Sequence, residues 1–270
     1  CMMYEEFLID SLQQALSVFE TVEEEQDYSM NFDGSNYLDL GAWSNYDLNY
    51  ASQSFTLLLD VNPSFYGSFG TEDYIIGTPM FGGNNDRGFS LRTSPENEFY
   101  VAVGGNSNIV YCYSDPFSED EWYDIAIVFD QSNDIVSFYI NGLLENTVSL
   151  SEIGTINNAY NLYVGAFINY QMTHYFGGYI DNVSIWDFAL SQDEMQSYIS
   201  CPPTGEEDGL VGYWDFNEGS GDTIYDISGN GNHGVINGAE FSEDVPESFN
   251  GCTNVNALNY DESALCDNGS

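Results

Sequence analysis

WYDIAIVF at residues 122–129 and VSFYI at residues 136–140 are short runs with a two-residue alternation, and Asn141-Gly142 follows them. Such alternation is typical of β-strands that bury one face. Asn-Gly suits a two-residue type I′ turn, because both central residues need a positive φ. Further runs of this kind lie at 54–61, 99–103, 161–167 and 179–186. The sequence therefore predicts an all-β domain.

The composition indicates a folded chain with a large core. Of its 270 residues, 43% are hydrophobic and 16% are aromatic, and 26 are glycine. Disordered chains lack this apolar content. A β-sandwich can reach about 200–250 residues as one domain, so we expect one main domain.

The charge excludes several classes of protein. The chain has 2 basic and 44 acidic residues, a net charge of −42, and it contains no lysine. Enzymes that need a phosphate-binding or Schiff-base lysine are therefore excluded, as is binding to nucleic acid or to anionic membranes. We expect no membrane insertion, since no apolar run is long enough to span a bilayer. Self-repulsion at this charge favours a salty, calcium-rich setting, so we expect a secreted protein at the cell surface.

The pattern divides the chain into four parts. Residues 1–27 form a short helix or linker, because residues 5–20 place apolar side chains three and four positions apart. Residues 28–200 form the sandwich. Residues 201–246 form a Cys-Pro-Pro linker with additional strands, and residues 247–270 form a small module rich in cysteine and aspartate.

Four ordered motifs carry a family resemblance. They are MNFDGSNYLDL at 30–40, EWYDIAIVFD at 121–130, FYING at 138–142 and GYIDNVSIW at 178–186, the last followed by Ala189-Leu190-Ser191 and Glu194. In order and spacing they resemble the laminin-G-like, concanavalin A-like domain. The resemblance implies a jelly-roll β-sandwich, a fold that carries lectins, glycosidases and adhesive modules alike.

Residues 210–241 resemble the amino-terminal strands of the same family, although those strands ordinarily come first. About forty residues cannot close a second sandwich alone. They either fold back on residues 28–200 as a permuted domain or complete the next copy in a tandem chain.

The tail from Gly251 to Ser270 resembles a module of giant repetitive bacterial surface proteins that usually ends in Gly-Ser-Cys. Reading Ser270 into Cys1 restores that ending, which implies a repeat in a longer polypeptide. A lipidated amino terminus is the alternative origin of Cys1.

Five cysteines indicate an oxidising compartment; they are Cys1, Cys112, Cys201, Cys252 and Cys266. We expect Cys252 or Cys266 to pair with the Cys1 position of an adjoining copy. Cys112 and Cys201 either pair with each other or stay as buried thiols.

The resemblance implies a structural Ca²⁺ held by Asp181 and the Asp33-Gly34 loop, with Asn36 as a weaker addition. Calcium takes six to eight oxygen ligands, which Asp, Asn and backbone carbonyls supply. The alternative for Asp33 is an ordinary Asx turn, and Asp181 alternatively ends a strand against solvent.

Two further clusters are as rich in Asp and Asn as metal-binding loops are, but they lack the spacing of an EF-hand. Their members are Asp222, Asp226, Asn230 and Asn232 in the first cluster, and Asp261, Asp267 and Asn268 in the second. The alternative is that glycine-rich turns select these residues for their backbone conformation.

Catalysis and sugar binding have weaker signals. His174 and His233 stand apart with no second clustered histidine, so we expect no enzyme.

Loop aromatics could form a sugar-stacking platform or could pack between modules; they are Phe65, Tyr66, Tyr170, Tyr175 and Phe176. Arg87 and Arg92 are expected between strands.

The sequence thus predicts a non-enzymatic, calcium-stabilised structural or adhesive repeat module of a giant bacterial surface filament. Its expected partners are further copies of itself and cell-surface glycans. The alternatives are a carbohydrate-binding lectin domain and a glycoside hydrolase relic. A pair of acidic residues with raised pKa facing one groove would favour the last.

Overall fold

The computed structural model describes residues 26–50, 52–64, 72–80, 87–105, 108–156, 160–168, 173–247, 250–251 and 266–267. The predicted amino-terminal helix lies outside these ranges, as do Cys1, Cys252 and Asp261. Within them the chain forms twenty strands, one 3-10 helix at Trp43–Tyr46 and one α-helix.

The first ten strands are β1 (Ser29–Asp33), β2 (Tyr37–Ala42), β3 (Phe55–Pro63), β4 (Asp73–Gly77), β5 (Gly88–Thr93), β6 (Glu98–Gly104), β7 (Ile109–Pro116), β8 (Tyr123–Asp130), β9 (Ile135–Ile140) and β10 (Leu143–Ser149). The remaining strands are β11 (Asn161–Val164), β12 (Ala166–Ile168), β13 (Thr173–Tyr175), β14 (Gly177–Trp186), β15 (Leu210–Trp214), β16 (Thr223–Ile224), β17 (Gly234–Asn237), β18 (Glu240–Ser242), β19 (Asn250–Gly251) and β20 (Cys266–Asp267). The α-helix, α1, is Gln192–Ser200.

Two eight-stranded antiparallel sheets form the sandwich. Sheet A has the order β10-β9-β8-β3-β14-β1-β18, with β15 also paired to β14, and sheet B has the order β16-β17-β2-β11-β4-β5-β6-β7. The predicted all-β sandwich is confirmed, and each predicted strand lies within about two residues of an observed one.

Residues 210–242 fold back on the same sandwich. In sheet A, β15 pairs with β14 and β18 pairs with β1. In sheet B, β17 pairs with β2. Of the two arrangements the sequence left open, the structure has the permuted one.

The interior between the sheets is aromatic and aliphatic. Phe55 on β3 stacks on Phe129 of β8 with ring centres 4.2 Å apart, and Trp43 packs against Phe55 and Phe89. Alternate residues of β3, namely Leu57, Leu59 and Val61, face this core. The intervening residues of β3 therefore face the outer surface of sheet A.

A second hydrophobic layer covers part of that outer surface. It is made by α1 and the segments beside it, where Met195 and Leu190 pack with Leu58, Trp186 and Tyr213. Helix α1 was not predicted from the sequence. Its signal was present, because Ser191 and Glu194 form a capping box in which each side chain bonds the other's backbone amide.

Candidate functional site

Three aspartates lie side by side on the outer face of sheet A. Asp60 on β3 is opposite Asp124 on β8 and also opposite Asp181 on β14. Directly opposed residues of antiparallel strands have Cβ atoms about 4.5–5.5 Å apart. The register of three neighbouring strands thus produces a row of carboxylates, here named the aspartate row.

A β-bulge brings an amide into the row. The pairing of β14 with β3 shifts between Asp181 and Ser184, and Asn182 has a left-handed φ of 49°. Asn182 Nδ2 donates to Asp60 Oδ2 at 2.9 Å, and the Tyr213 hydroxyl donates to Asn182 Oδ1 at 2.9 Å. The bulge therefore fixes one carboxylate oxygen of Asp60.

Part of the aspartate row lines an open pocket of about 210 Å³, and Asp181 lies next to that lining, opposite Asp60. Asp60, Asp124 and Asn182 line it, and Asp27 before β1 and Asp215 after β15 add two more carboxylates. The other walls come from the end of α1, Pro202-Pro203 and Pro246-Glu247. We call this space the acidic pocket.

No basic side chain lines the acidic pocket in the described residues. Burial, followed by repulsion from Asp124, raises the pKa of Asp60 well above its ordinary value. Burial, followed by repulsion from Asp60 and Asp27, does the same for the pKa of Asp181. Burial also raises the pKa of Asp124, Asp27 and Asp215. The pocket therefore concentrates negative charge without a compensating protein cation.

One oxygen of Asp181 lacks a partner. The Asp181 side chain is 1% exposed, its Oδ1 accepts from the Asn182 amide, and its Oδ2 has no hydrogen-bond partner. Buried polar atoms are nearly always paired. An orphaned carboxylate oxygen beside other carboxylates has the chemistry of a ligand for a hard cation.

The structure does not bring Asp33 and Asp181 together. Asp33 lies opposite Gly177, and the distance along β14 from Gly177 to Asp181 is four residues, about 13 Å. A single Ca²⁺ contacts its ligands at about 2.3–2.6 Å, so the two side chains cannot share one ion.

Asp33 instead forms an Asx turn, which was the alternative prediction for this residue. Its Oδ1 accepts from the Ser35 amide at 2.9 Å and from the Ser35 hydroxyl at 2.7 Å. Gly34 follows with φ 81°, and Asn36 Nδ2 donates to the Gly238 carbonyl. These residues hold a turn and a strand contact.

Asp226 is a structural hydrogen-bond acceptor. Its two oxygens accept from the amides of Tyr213, Ser228 and Asn232 and from the Ser228 hydroxyl. The side-chain amides of Asn230 and Asn232 donate to the Val211 carbonyl. These bonds hold the loop of this cluster against β15. Asp222 is not part of the cluster, and its Oδ1 accepts from the Thr223 hydroxyl. Of the second predicted cluster, the structure describes only Asp267, as part of β20.

The observed disulfide is not one that was predicted from the sequence. Cys201, just after α1, pairs with Cys266 on β20 with their Cα atoms 5.5 Å apart. Cys112 points into the core from β7, is 1% exposed and has a free thiol. Of the two alternatives left open for Cys112, the structure has the buried free thiol and not a bond to Cys201, which follows α1 and pairs with Cys266. Because Cys266 is bonded to Cys201, the predicted pairing of Cys266 with Cys1 of an adjoining copy is wrong; the alternative pairing of Cys252 with Cys1 lies outside the described residues and stays a prediction.

The predicted aromatic platform does not assemble from the described residues. Phe176 is buried in the core, Tyr175 lies on β13, and Phe65, Tyr66 and Tyr170 lie outside the described ranges. The histidines are structural, since His174 packs beside Tyr74 and Phe167 and His233 Nδ1 accepts from the Asp226 amide.

Four carboxylates of the acidic pocket were not predicted from the sequence, namely Asp27, Asp60, Asp124 and Asp215. An available signal was the placement of Asp60 and Asp124 inside otherwise apolar strands, at positions that face away from the core. Their convergence depends on β3 lying between β8 and β14, which periodicity alone does not specify.

No three Asp, Glu, His or Cys side chains within the described ranges already stand at the mutual distances of a metal-ligand set. A cation here would use fewer carboxylates together with amide oxygens and water. The same ranges contain no helix long and apolar enough to cross a bilayer.

Comparisons with solved structures support the fold. A Bacteroides ovatus protein, proposed to bind carbohydrate, is 20% identical with a TM-score of 0.65 over 82% of this chain and 61% of that one. A heptameric pentraxin of Limulus polyphemus is 15% identical with a TM-score of 0.51 over 79% and 96% of the two chains. The CBM40 domain of a Ruminococcus gnavus sialidase, bound to α2,3-sialyllactose, is 17% identical with a TM-score of 0.51 over 63% and 95%.

The chain thus spans about three fifths of the length of the Bacteroides protein. No curated protein matches it. The Laminin_G_3 family, described as the concanavalin A-like lectin/glucanases superfamily, matches residues 14–196. Since that match covers more than half of the chain, the protein belongs to the concanavalin A-like lectin/glucanase superfamily.

Proposed function

We propose that this chain is a non-enzymatic, extracellular carbohydrate-binding module whose sandwich is stabilised by Ca²⁺ in the acidic pocket. The observation that carries the calcium part is the aspartate row with its orphaned Asp181 Oδ2. One buried carboxylate beside several half-buried ones, without a protein cation, is costly. A bound divalent cation would offset that cost.

The ligand set would combine carboxylates and water. Asp181 Oδ2 and one oxygen of either Asp60 or Asp124 are the candidates, with water completing the six to eight positions. The positive ion would offset the repulsion among the neighbouring carboxylates of β8, β3 and β14. It would therefore stabilise the centre of sheet A.

Carbohydrate is the ligand class that the comparisons favour. The chain belongs to a lectin and glucanase superfamily, and two similar structures are described as binding carbohydrate or a sialylated sugar. Those ligands belong to those proteins. For this chain, sugar binding is our proposal.

A glycosidase is disfavoured by the geometry of its best acidic pair. Asp60 and Asp124 face one pocket with raised pKa, which is the feature expected of a hydrolase. Their carboxyl groups, however, hydrogen-bond directly to each other. Glycosidases hold their two carboxyls about 5–9.5 Å apart so that sugar or water fits between them. A pair in direct contact leaves no such space.

An adhesive role in an assembly of many copies is a second candidate. The observation that favours it is the edge strand β10 of sheet A, since apolar side chains exposed on an edge strand favour association with another chain. Leu143 and Leu144 on β10 are 61% and 53% exposed. An extracellular setting agrees with the Cys201–Cys266 disulfide.

A glycan array probed with the folded protein, once in calcium and once in chelator, tests the proposal. We expect binding to a subset of glycans that weakens in chelator as the fold loosens. Folded, calcium-loaded protein that binds no glycan would contradict the carbohydrate-binding role and favour the purely structural one.

A further inference from the structure

A row of large polar side chains crosses the outer face of sheet B. Tyr74 on β4 lies opposite Arg92 on β5, Arg92 opposite Tyr100 on β6, and Tyr100 opposite Tyr113 on β7. Their neighbours Leu91, Val101 and Cys112 face the core. The row therefore points away from the core, and Arg92 lies inside a strand instead of between strands as the sequence analysis expected.

Arg92 is the fixed centre of this row. Its guanidinium carbon lies 4.0 Å from the centre of the Tyr74 ring and 5.7 Å from that of Tyr100. Its Nε donates to the Ser90 hydroxyl at 2.7 Å, and its Nη1 lies 3.3 Å from Glu72 Oε2. A planar cation stacked on rings and held by an acid orders the tyrosines around it.

The row ends in two exposed aromatic rings. Tyr113 stacks on Tyr100 with ring centres 4.9 Å apart and an interplanar angle of 27°. Tyr111, two residues earlier on the same face of β7, has its ring centre 6.2 Å from that of Tyr113 and is inclined to it by 32°. Tyr111 and Tyr113 are 45% and 42% exposed. Together they form a shallow surface, here named the tyrosine platform.

We propose that the tyrosine platform binds a neutral glycan, one sugar ring stacking on each tyrosine; this rests on the proposed carbohydrate-binding function. Two adjacent, gently inclined rings match consecutive sugars of an extended chain. Aromatic faces attract the apolar C–H faces of sugars, and tyrosine hydroxyls can bond their hydroxyl groups. Because Tyr100 and Arg92 support the platform from behind, little side-chain freedom is lost on binding.

The charge distribution selects a neutral ligand. Arg92 is already stacked and paired with Glu72, and its side chain is only 10% exposed. The chain has a net charge of −42, so a uronic or sialic acid would approach against a repulsive field. The same repulsion acts against a second copy of this chain. Glu72, about half exposed, can accept bonds from sugar hydroxyls.

The test is affinity electrophoresis through gels that contain one soluble polysaccharide each. The neutral probes are hydroxyethylcellulose, laminarin and galactomannan, and the acidic probes are polygalacturonate and alginate. We expect at least one neutral probe to retard the wild-type protein and no acidic probe to retard it more. Tyr111→Ala and Tyr113→Ala should each weaken that retardation about threefold to tenfold, and Tyr113→Phe should keep most of it.

Tyr225→Ala is the matched control, since Tyr225 is 55% exposed and lies outside sheet B's platform, beside His233. It should leave retardation unchanged, and all variants should melt at the wild-type temperature. Wild-type-like retardation of both platform variants would overturn the platform while leaving carbohydrate binding intact. Retardation by acidic probes alone would overturn the neutral ligand class. No retardation by any probe would overturn both proposals.

Discussion

Replacing Asp181 by asparagine should change stability in opposite directions with and without calcium. Asparagine keeps an oxygen that can accept from the Asn182 amide, as Asp181 Oδ1 does now, but it removes the buried charge opposite Asp60. In chelator, relief of that charge should raise the free energy of unfolding by about 1–3 kcal/mol. In calcium, the variant should lose the contribution of the bound ion.

That contribution has a calculable size. An ion present at about a hundred times its dissociation constant adds about 2.7 kcal/mol to the native state. For a domain of this size each kcal/mol moves the melting temperature by about 2–4 °C, so calcium should raise that of the wild type by about 5–10 °C.

The assay is thermal unfolding followed by tryptophan fluorescence, in calcium and in chelator. Trp186 and Trp214 are fully buried and will report loss of the sandwich. Asp33→Asn is the matched control, because Asp33 is exposed and its turn can be kept by asparagine. The control should retain the full calcium shift. A calcium shift that survives in Asp181→Asn, or is lost in Asp33→Asn, would refute the placement of the ion.

Three further outcomes follow from the same structure. Metal-free protein should be less stable at pH 8 than at pH 5. Folding raises the pKa of Asp60 and Asp181 above the unfolded value of about 3.9, so the stability that these groups contribute below that value is lost as pH rises through the folded pKa. A melting temperature in chelator that does not fall with rising pH would contradict this. Replacing Cys201 and Cys266 by serine should lower the free energy of unfolding, measured in denaturant, by about 2–4 kcal/mol, since the disulfide spans 65 residues. An unchanged unfolding midpoint would show that the disulfide does little to restrict the unfolded chain. Burial raises the pKa of Cys112 to about 12, so its thiol should resist thiol reagents until the protein unfolds. Rapid labelling of Cys112 in the native protein would contradict its place in the core.

Local patterns were sufficient for the strands. Alternation placed β3, β8 and β9 within about two residues of their positions, because one face of each must meet the core. Asn141-Gly142 does form the β9–β10 turn, with both φ values positive. The Ser191 and Glu194 capping box was equally local, and it would have predicted α1 had it been used.

The site depends on long-range register, which local patterns do not determine. Asp60, Asp124 and Asp181 are separated by tens of residues and meet only because β3 pairs on both sides in one particular alignment. The resemblance drew attention to Asp181, whose binding of metal stays a prediction. It linked Asp181 to Asp33, however, and the pairing of β1 with β14 holds those two residues apart.

The most direct test of calcium in the acidic pocket is an anomalous difference map, collected at long wavelength from crystals grown in calcium. We expect one peak at the aspartate row, within about 2.3–2.6 Å of Asp181 Oδ2 and of at least one oxygen of Asp60 or Asp124. A calcium-loaded crystal with no peak in the acidic pocket, or with its peak at the Asp33 turn, would contradict it.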